Sequence, residues 1–211
     1  MAAHYVAEIV ESNPTGPYAI AGYSLGGIIA FEMVKILKVQ NRKVSSLIML
    51  DSYVYPTYNY EVSFKKTRVH LSYSLGQVAF VVKMMLLDKE NFSRWLGIIK
   101  SKIKSSYLRI KLGREAQHKL EYPWPLELDD MHRLAVDNYQ IIPEDLEIDL
   151  LKVEDNNIFY AHDTNYLGWR EVAKGGVIRH VIPGNHKNMF QSPNDKALGQ
   201  ILQAILDRDH D

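Results

Sequence analysis

Tyr18-Ala19-Ile20-Ala21-Gly22-Tyr23-Ser24-Leu25-Gly26-Gly27 is a short apolar run that passes directly into a glycine-flanked serine. Behind it, residues 28–40 carry Ile28, Phe31, Met33, Val34 and Leu37 at helical spacing, the pattern of a buried helix face. A G-x-S-x-G set between an apolar strand and an apolar helix is the context in which that spacing means a nucleophile elbow. Such a tight turn forces its central residue into a strained backbone conformation and thrusts the side chain out of the sheet. Gly22 and Gly26 are expected where a Cβ would collide with the neighbouring strand or helix. The turn also aims the first N–H groups of the following helix at one point, which makes the Leu25 N–H a candidate oxyanion donor. A glycine-rich turn that only permits close packing, or binds phosphate, is the plainer alternative. Against phosphate, the G-x-G-x-x-G spacing and the Walker Lys-Ser/Thr pair are both absent.

Outward from this turn the periodicity alternates. Residues 1–10 read as a helix with Tyr5, Ile9 and Val10 on one face, stopped by Asn13, Pro14, Gly16 and Pro17. Residues 44–50 form an apolar run suited to a strand covered on both faces. Helix, strand, turn, helix, strand is the order of a parallel sheet. From residue 64 to about 113 the chain is helical in character, with no glycine between Gly76 and Gly97. Residues 61–114 hold 12 Lys/Arg against 3 Asp/Glu, and residues 115–155 reverse this with 3 against 12. No flexible linker brackets the stretch, so residues 58–140 read as a helical insertion within one domain, 1–211. The α/β pattern then returns with strands expected at 157–161 and 177–182 and a closing amphipathic helix at 193–206.

Composition narrows the partners. Lys+Arg 25 and Asp+Glu 25 cancel to a formal net charge of +0, which calls for neither nucleic acid nor a membrane surface. With no cysteine, disulfides, a thiol nucleophile and thiolate metal sites are excluded, and a reducing cytoplasmic setting is compatible. No basic-then-apolar leader opens the chain. The longest apolar stretch, residues 78–87, is interrupted by Lys83 and falls short of the ~20 residues that span a bilayer.

A serine hydroxyl is a weak nucleophile until a base takes its proton, and that base needs an orienting acid. Of eight histidines, His4 and His210 lie near the ends, His70, His118 and His132 in the helical insertion, and His180 inside a strand. His162 ends a strand beside Asp163. His186 follows Pro183-Gly184-Asn185 directly after the last strand. A parallel sheet puts that loop on the same edge as the elbow, at the carboxyl ends of the strands. His186 is therefore the expected base, its plain alternative being a polar loop histidine. Two carboxylates compete for the acid. Asp51 ends the strand after the elbow helix, and Asp163 ends the strand expected at 157–161. Either gives the chain order Ser, Asp, His; either is equally readable as a turn or helix cap.

The chain resembles the type I thioesterase domains of nonribosomal peptide synthetases, α/β-hydrolases related to those of polyketide and fatty-acid synthases. The resemblance rests on Gly16-Pro17-Tyr18 leading to Ala21-Gly22-Tyr23-Ser24-Leu25-Gly26-Gly27, then Ala30-Phe31-Glu32-Met33, Leu50-Asp51-Ser52, and Gly168-Trp169 through Pro183-Gly184-Asn185-His186. These segments cover both ends of the chain, and the insertion between them is divergent. The resemblance implies an α/β-hydrolase fold with a helical lid at 58–140. It selects Asp51 as acid beside Ser24 and His186, with Asp163 in reserve. Several family strands before Met1, and the loop supplying a second oxyanion donor, would then be missing. It implies a chain presented on the phosphopantetheine of a carrier domain of the same synthetase, released by hydrolysis or macrocyclisation, with no cofactor or metal held by the domain itself. The basic half of the insertion would greet such a carrier, although solvated helices paired with the acidic stretch are the plainer reading. The apolar stripe of Val78, Phe80, Val81, Met84, Met85 and Leu86 reads as packing before it reads as a substrate channel.

Three rivals stand beside this: a freestanding editing thioesterase or carboxylesterase with the same triad, a non-catalytic hydrolase-fold module that docks a carrier, and a metal-dependent hydrolase. The last rests only on His162-Asp163 and lacks an H-E-x-x-H motif.

Overall fold

The computed structural model describes residues 1–54, 78–79, 81–83, 85–86, 89–116, 131, 135, 139–154 and 163–208. Four strands, β1 (Tyr18–Tyr23), β2 (Val44–Leu50), β3 (Glu147–Val153) and β4 (Gly176–Ile182), form one sheet in the order β1-β2-β3-β4. Every pairing is parallel. The register sets Tyr23 opposite Leu50, Leu50 opposite Leu151, and Val153 opposite Ile182. The residues that follow β1, β2 and β4 therefore emerge along one sheet edge. This is the α/β-hydrolase architecture, with helices α1 (Ala2–Ser12), α2 (Leu25–Val39) and α4 (Asn194–Arg208) flanking the sheet and α3 (Lys89–Leu112) belonging to a second compact unit, Val78–Ile141. No helix among the described residues is long and apolar enough to cross a membrane.

Alternation along the strands explains why both faces are covered. In β2, Leu47 and Met49 face one way and Ile48 and Leu50 the other, and all four are buried. The Met49 side takes α2, whose buried residues Ile28, Phe31, Val34 and Leu37 recur every three to four positions. Leu37 and Phe31 are fully buried, each contributing ~1.5–3 kcal/mol relative to exposure. The opposite side joins Ile48, Leu50, Leu151, Val153 and Ile182 to Met189, Leu198 and Ile205, the last two on α4.

Elements β1, β2, β4, α1, α2 and α4 fall where the periodicity puts them, within a few residues. β3 does not appear in the sequence reading, and the strand expected at 157–161 lies outside the described residues. The reason is chemical. β3 reads Glu-Ile-Asp-Leu-Leu-Lys-Val, yet Asp149 and Lys152 are both buried. Asp149 is tolerated because Arg208 grips it with two N–H donors, Nη2 to Oδ2 at 2.6 Å and Nη1 to Oδ1 at 3.3 Å. His180 Nε2 lies 2.8 Å from Oδ1. A fork of this kind offsets the desolvation of a buried carboxylate, and it ties the last turn of α4 to the middle of the sheet.

Candidate active site

Ser24 caps α2 with φ 54° and ψ −121°, a left-handed conformation that costs a non-glycine residue about 1–3 kcal/mol. Its neighbours enforce it. The Ser24 N–H donates to Leu50 O at 3.1 Å, continuing the ladder, while Ser24 O accepts the Gly27 N–H at 3.1 Å, opening the helix. Chain direction must reverse its purpose within one residue. As the first residue of α2, Leu25 has no intrahelical acceptor for its N–H.

The glycines divide differently from the expectation. A Cβ on Gly22 would overlap the Gly26 carbonyl and lie 2.5 Å from Gly27 N, whereas a Cβ on Gly26 would meet nothing within 4 Å. The crowded position is Gly27, where a Cβ would strike the Ser52 side chain and lie 3.0 Å from Met49 Sδ. Gly27 sits at the point where α2 crosses the sheet, so the close approach belongs to helix packing. The expected result is that Gly26→Ala folds with an unfolding midpoint at or slightly above wild type, an alanine being favoured inside a helix by ~1 kcal/mol. Gly22→Ala, which must displace backbone, loses at least ~3 kcal/mol. Thermal unfolding of the two variants side by side checks this.

Asp51 leaves β2 with φ 43° and no exposure. Its N–H donates to Leu151 O at 2.8 Å, so the strand pairs with β3 one residue further. Its Oδ1 accepts the Val153 N–H at 3.3 Å, and its Oδ2 lies 2.7 Å from His186 Nδ1. With Nδ1–H given to the carboxylate, Nε2 is the nitrogen left to act as base. The loop carrying the imidazole is pinned from within. Asn188 Oδ1 accepts the Asn185 N–H at 2.6 Å, and Asn185 Oδ1 accepts from Lys187 N at 3.0 Å and Asn188 N at 3.1 Å.

Asp51 and His186 are thus brought into direct contact, and Ser24 is placed beside Leu50 at the same strand end. Ser24 Oγ forms no hydrogen bond among the described residues; hydroxyl and imidazole are not in bonding contact, a spacing that commonly tightens only when substrate binds. Asp163 is engaged elsewhere. Its Oδ1 accepts from Asn165 N at 3.2 Å and Tyr166 N at 3.0 Å, and its Oδ2 from Gly168 N at 3.1 Å, which is a turn-capping role. His180 is the partner of Asp149, and His4 pairs with Glu8 on α1. His70, His118, His132, His162 and His210 lie outside the described residues.

Two neighbours stand within the segments that carry the resemblance, with no role assigned to either from the sequence. Trp169 is fully buried, packs 5.5 Å from the Phe31 ring and donates Nε1–H to Ser52 O at 2.9 Å, holding the residue after Asp51. Tyr23 occupies a variable position of the G-x-S-x-G spacing, so the motif gives it no role; its ring stacks on His186. Burial, and then the nearby Asp51 charge, push its phenol above the usual value. Ser52 Oγ, buried and without a hydrogen-bond partner among the described residues, carries a desolvation cost. Ser52→Ala is expected to raise stability by ~1 kcal/mol and leave turnover unchanged, as read by denaturant midpoint and steady-state rate.

Comparison with known proteins places the chain. Residues 1–207 match the family model of the thioesterase domain. Microperfuranone synthase of Emericella nidulans is 37% identical over 229 residues, taking in 97% of this chain and 22% of that protein. Polyketide synthase PksR of Bacillus subtilis is 44% identical over 93 residues, 44% of this chain and 3% of that protein. The chain spans 2% to 22% of the length of the curated relatives it matches first. Among solved structures, a four-domain nonribosomal peptide synthetase bound to AMP and glycine aligns with TM-score 0.61 at 20% identity, covering 97% of this chain and 15% of that one. The NocB thioesterase domain in covalent complex with a fluorophosphonate nocardicin G analogue aligns with TM-score 0.56 at 16% identity, over 98% and 73%. At those identities the likeness is one of fold.

Proposed function

This chain belongs to the thioesterase domain family, and we propose that it releases an acyl or peptidyl chain from the phosphopantetheine thioester of a carrier domain through an acyl-enzyme on Ser24. The observation that carries this reading is the 2.7 Å contact between His186 Nδ1 and the fully buried Asp51, on the sheet edge where Ser24 emerges. A fully buried carboxylate beside an imidazole stabilises the imidazolium that forms when the ring accepts a proton. Ser24 Oγ attacks the thioester carbonyl carbon as its proton passes to His186 Nε2. The Leu25 N–H meets the developing oxyanion. The C–S bond then breaks, the proton returns to the departing sulfur, and the carrier thiol leaves. In the second half His186 takes a proton from water, or from an amine or hydroxyl of the chain itself, as that atom bonds to the acyl carbon. The Ser24 Oγ–acyl bond then breaks and the proton passes from His186 to Ser24 Oγ, leaving a free acid or a ring. The same base serves either acceptor.

Support for a synthetase setting comes from the relatives, named as synthases and synthetases, of which this chain spans only a part. Thioesterase domains need no cofactor for this chemistry; the phosphopantetheine belongs to the carrier. We assign the helical unit within 58–140 to the lid. The test is incubation with a fluorophosphonate followed by peptide mapping, paired with rates on a carrier-bound thioester and a simple oxyester of the same acyl group. An adduct on Ser24 and faster thioester cleavage are expected. No adduct would turn the assignment to a docking module, and faster oxyester cleavage to a carboxylesterase.

A further inference from the structure

We infer that Tyr23 is a positioning residue for His186, a clamp that ties the base to the backbone of the nucleophile's own turn. The inference rests on the reading of Ser24 and His186 as nucleophile and base. Three contacts carry it. The Tyr23 hydroxyl donates to the His186 backbone carbonyl at 2.6 Å. The Tyr23 ring lies over the imidazole with centroids 4.7 Å apart and planes 22° from parallel. Phe190, four residues beyond His186, meets the Tyr23 ring edge-on at 5.0 Å and 80°, which restrains it from turning away.

The geometry supplies what the carboxylate alone does not. Asp51 fixes one nitrogen of the imidazole, but a single hydrogen bond leaves the ring free to tilt about that contact, and the His186 side chain is 31% exposed. The Tyr23 ring face sets the remaining tilt, and its hydroxyl holds the main chain of the loop. Plain packing at a half-open surface asks for neither a near-parallel ring nor a phenol ending on the one carbonyl that belongs to the base. The stacked arrangement also places a π face against the imidazole when it becomes a cation, favouring the charged ring during attack. Because Tyr23 is bonded to Ser24, any shift of the elbow carries the clamp with it, and the nucleophile and base move as a unit.

The test uses Tyr23→Phe and Tyr23→Leu in the full chain, with steady-state kinetics on a pantetheine acyl thioester and proton NMR of the His186 ring. Tyr23→Phe keeps the stack and loses the hydroxyl, and kcat is expected to fall ~3–10-fold. Tyr23→Leu loses both, and kcat is expected to fall ~30–100-fold, the scale of a misplacement of about 1 Å. KM stays within about twofold in each, since no substrate contact is removed. The upfield ring-current shift of the His186 imidazole protons persists in Tyr23→Phe and disappears in Tyr23→Leu. Wild-type kcat in Tyr23→Leu, or a loss confined to KM, overturns the inference. If Tyr23→Leu does not fold, Tyr23→Phe decides alone, and wild-type kcat there overturns it. Absence of a fluorophosphonate adduct on wild-type Ser24 instead defeats the functional reading, which the ring-current measurement does not touch.

Discussion

Ser24→Ala is expected to lower thioester turnover by ~10⁴–10⁶-fold and to abolish the fluorophosphonate adduct, with an unfolding midpoint close to wild type. The size of the loss follows from removing the only group proposed to bond to the acyl carbon. Whatever rate survives comes from binding and the Leu25 N–H acting on water. Stability is preserved because alanine must adopt the same φ of 54° and inherits the same strain. Ser24→Gly separates the two consequences. It should be equally inactive, yet more stable than Ser24→Ala by ~1 kcal/mol, because relief of the left-handed conformation outweighs glycine's extra freedom in the unfolded chain. Rates on a carrier-bound thioester and a thermal melt of both variants check this. An alanine variant retaining a tenth of wild-type turnover would remove Ser24 from the chemistry.

The second large effect distinguishes the two carboxylates. Asp51→Asn keeps shape and burial but replaces an acceptor with an amide whose NH₂ can donate to Nδ1. That moves the imidazole proton to Nε2, the nitrogen that must accept one. The expected cost is ~10⁴-fold in kcat. Asp163→Asn is expected to leave kcat within about threefold and to cost ~1 kcal/mol of stability, since its oxygens serve the backbone N–H groups of Asn165, Tyr166 and Gly168. Pre-steady-state acylation and denaturant midpoints of the pair read both quantities. A collapse of acylation in Asp163→Asn, with Asp51→Asn near wild type, would exchange their roles.

What the sequence disclosed and what it hid have physical causes. β1, β2 and β4 are legible because a short apolar run set off by its neighbours is a local signal, and α2 because its buried face recurs at helical spacing. β3 was hidden because its charged residues are neutralised by side chains far along the chain: Asp149 depends on Arg208, 59 residues away. A window of hydropathy cannot register such a partner. At the site, residue types and chain order narrowed the base to His186 but left Asp51 and Asp163 level, and only family resemblance separated them. The conformations explain the tie, since both aspartates follow apolar stretches and only three-dimensional pairing gives one an imidazole and the other a turn. Tyr23 stood within the motif unnoticed because its role is a contact across 163 residues.

That separation has a consequence for biosynthesis. Asp51 and His186 are 135 residues apart, so at ribosomal rates of ~5–20 residues per second the carboxylate is made about 7–27 s before its imidazole. Throughout that interval the nascent polypeptide displays a serine with no general base and a carboxylate with no counterpart. Under the proposed mechanism Ser24 waits for the segment that carries His186, so a product cut short before residue 186 is expected to form no fluorophosphonate adduct.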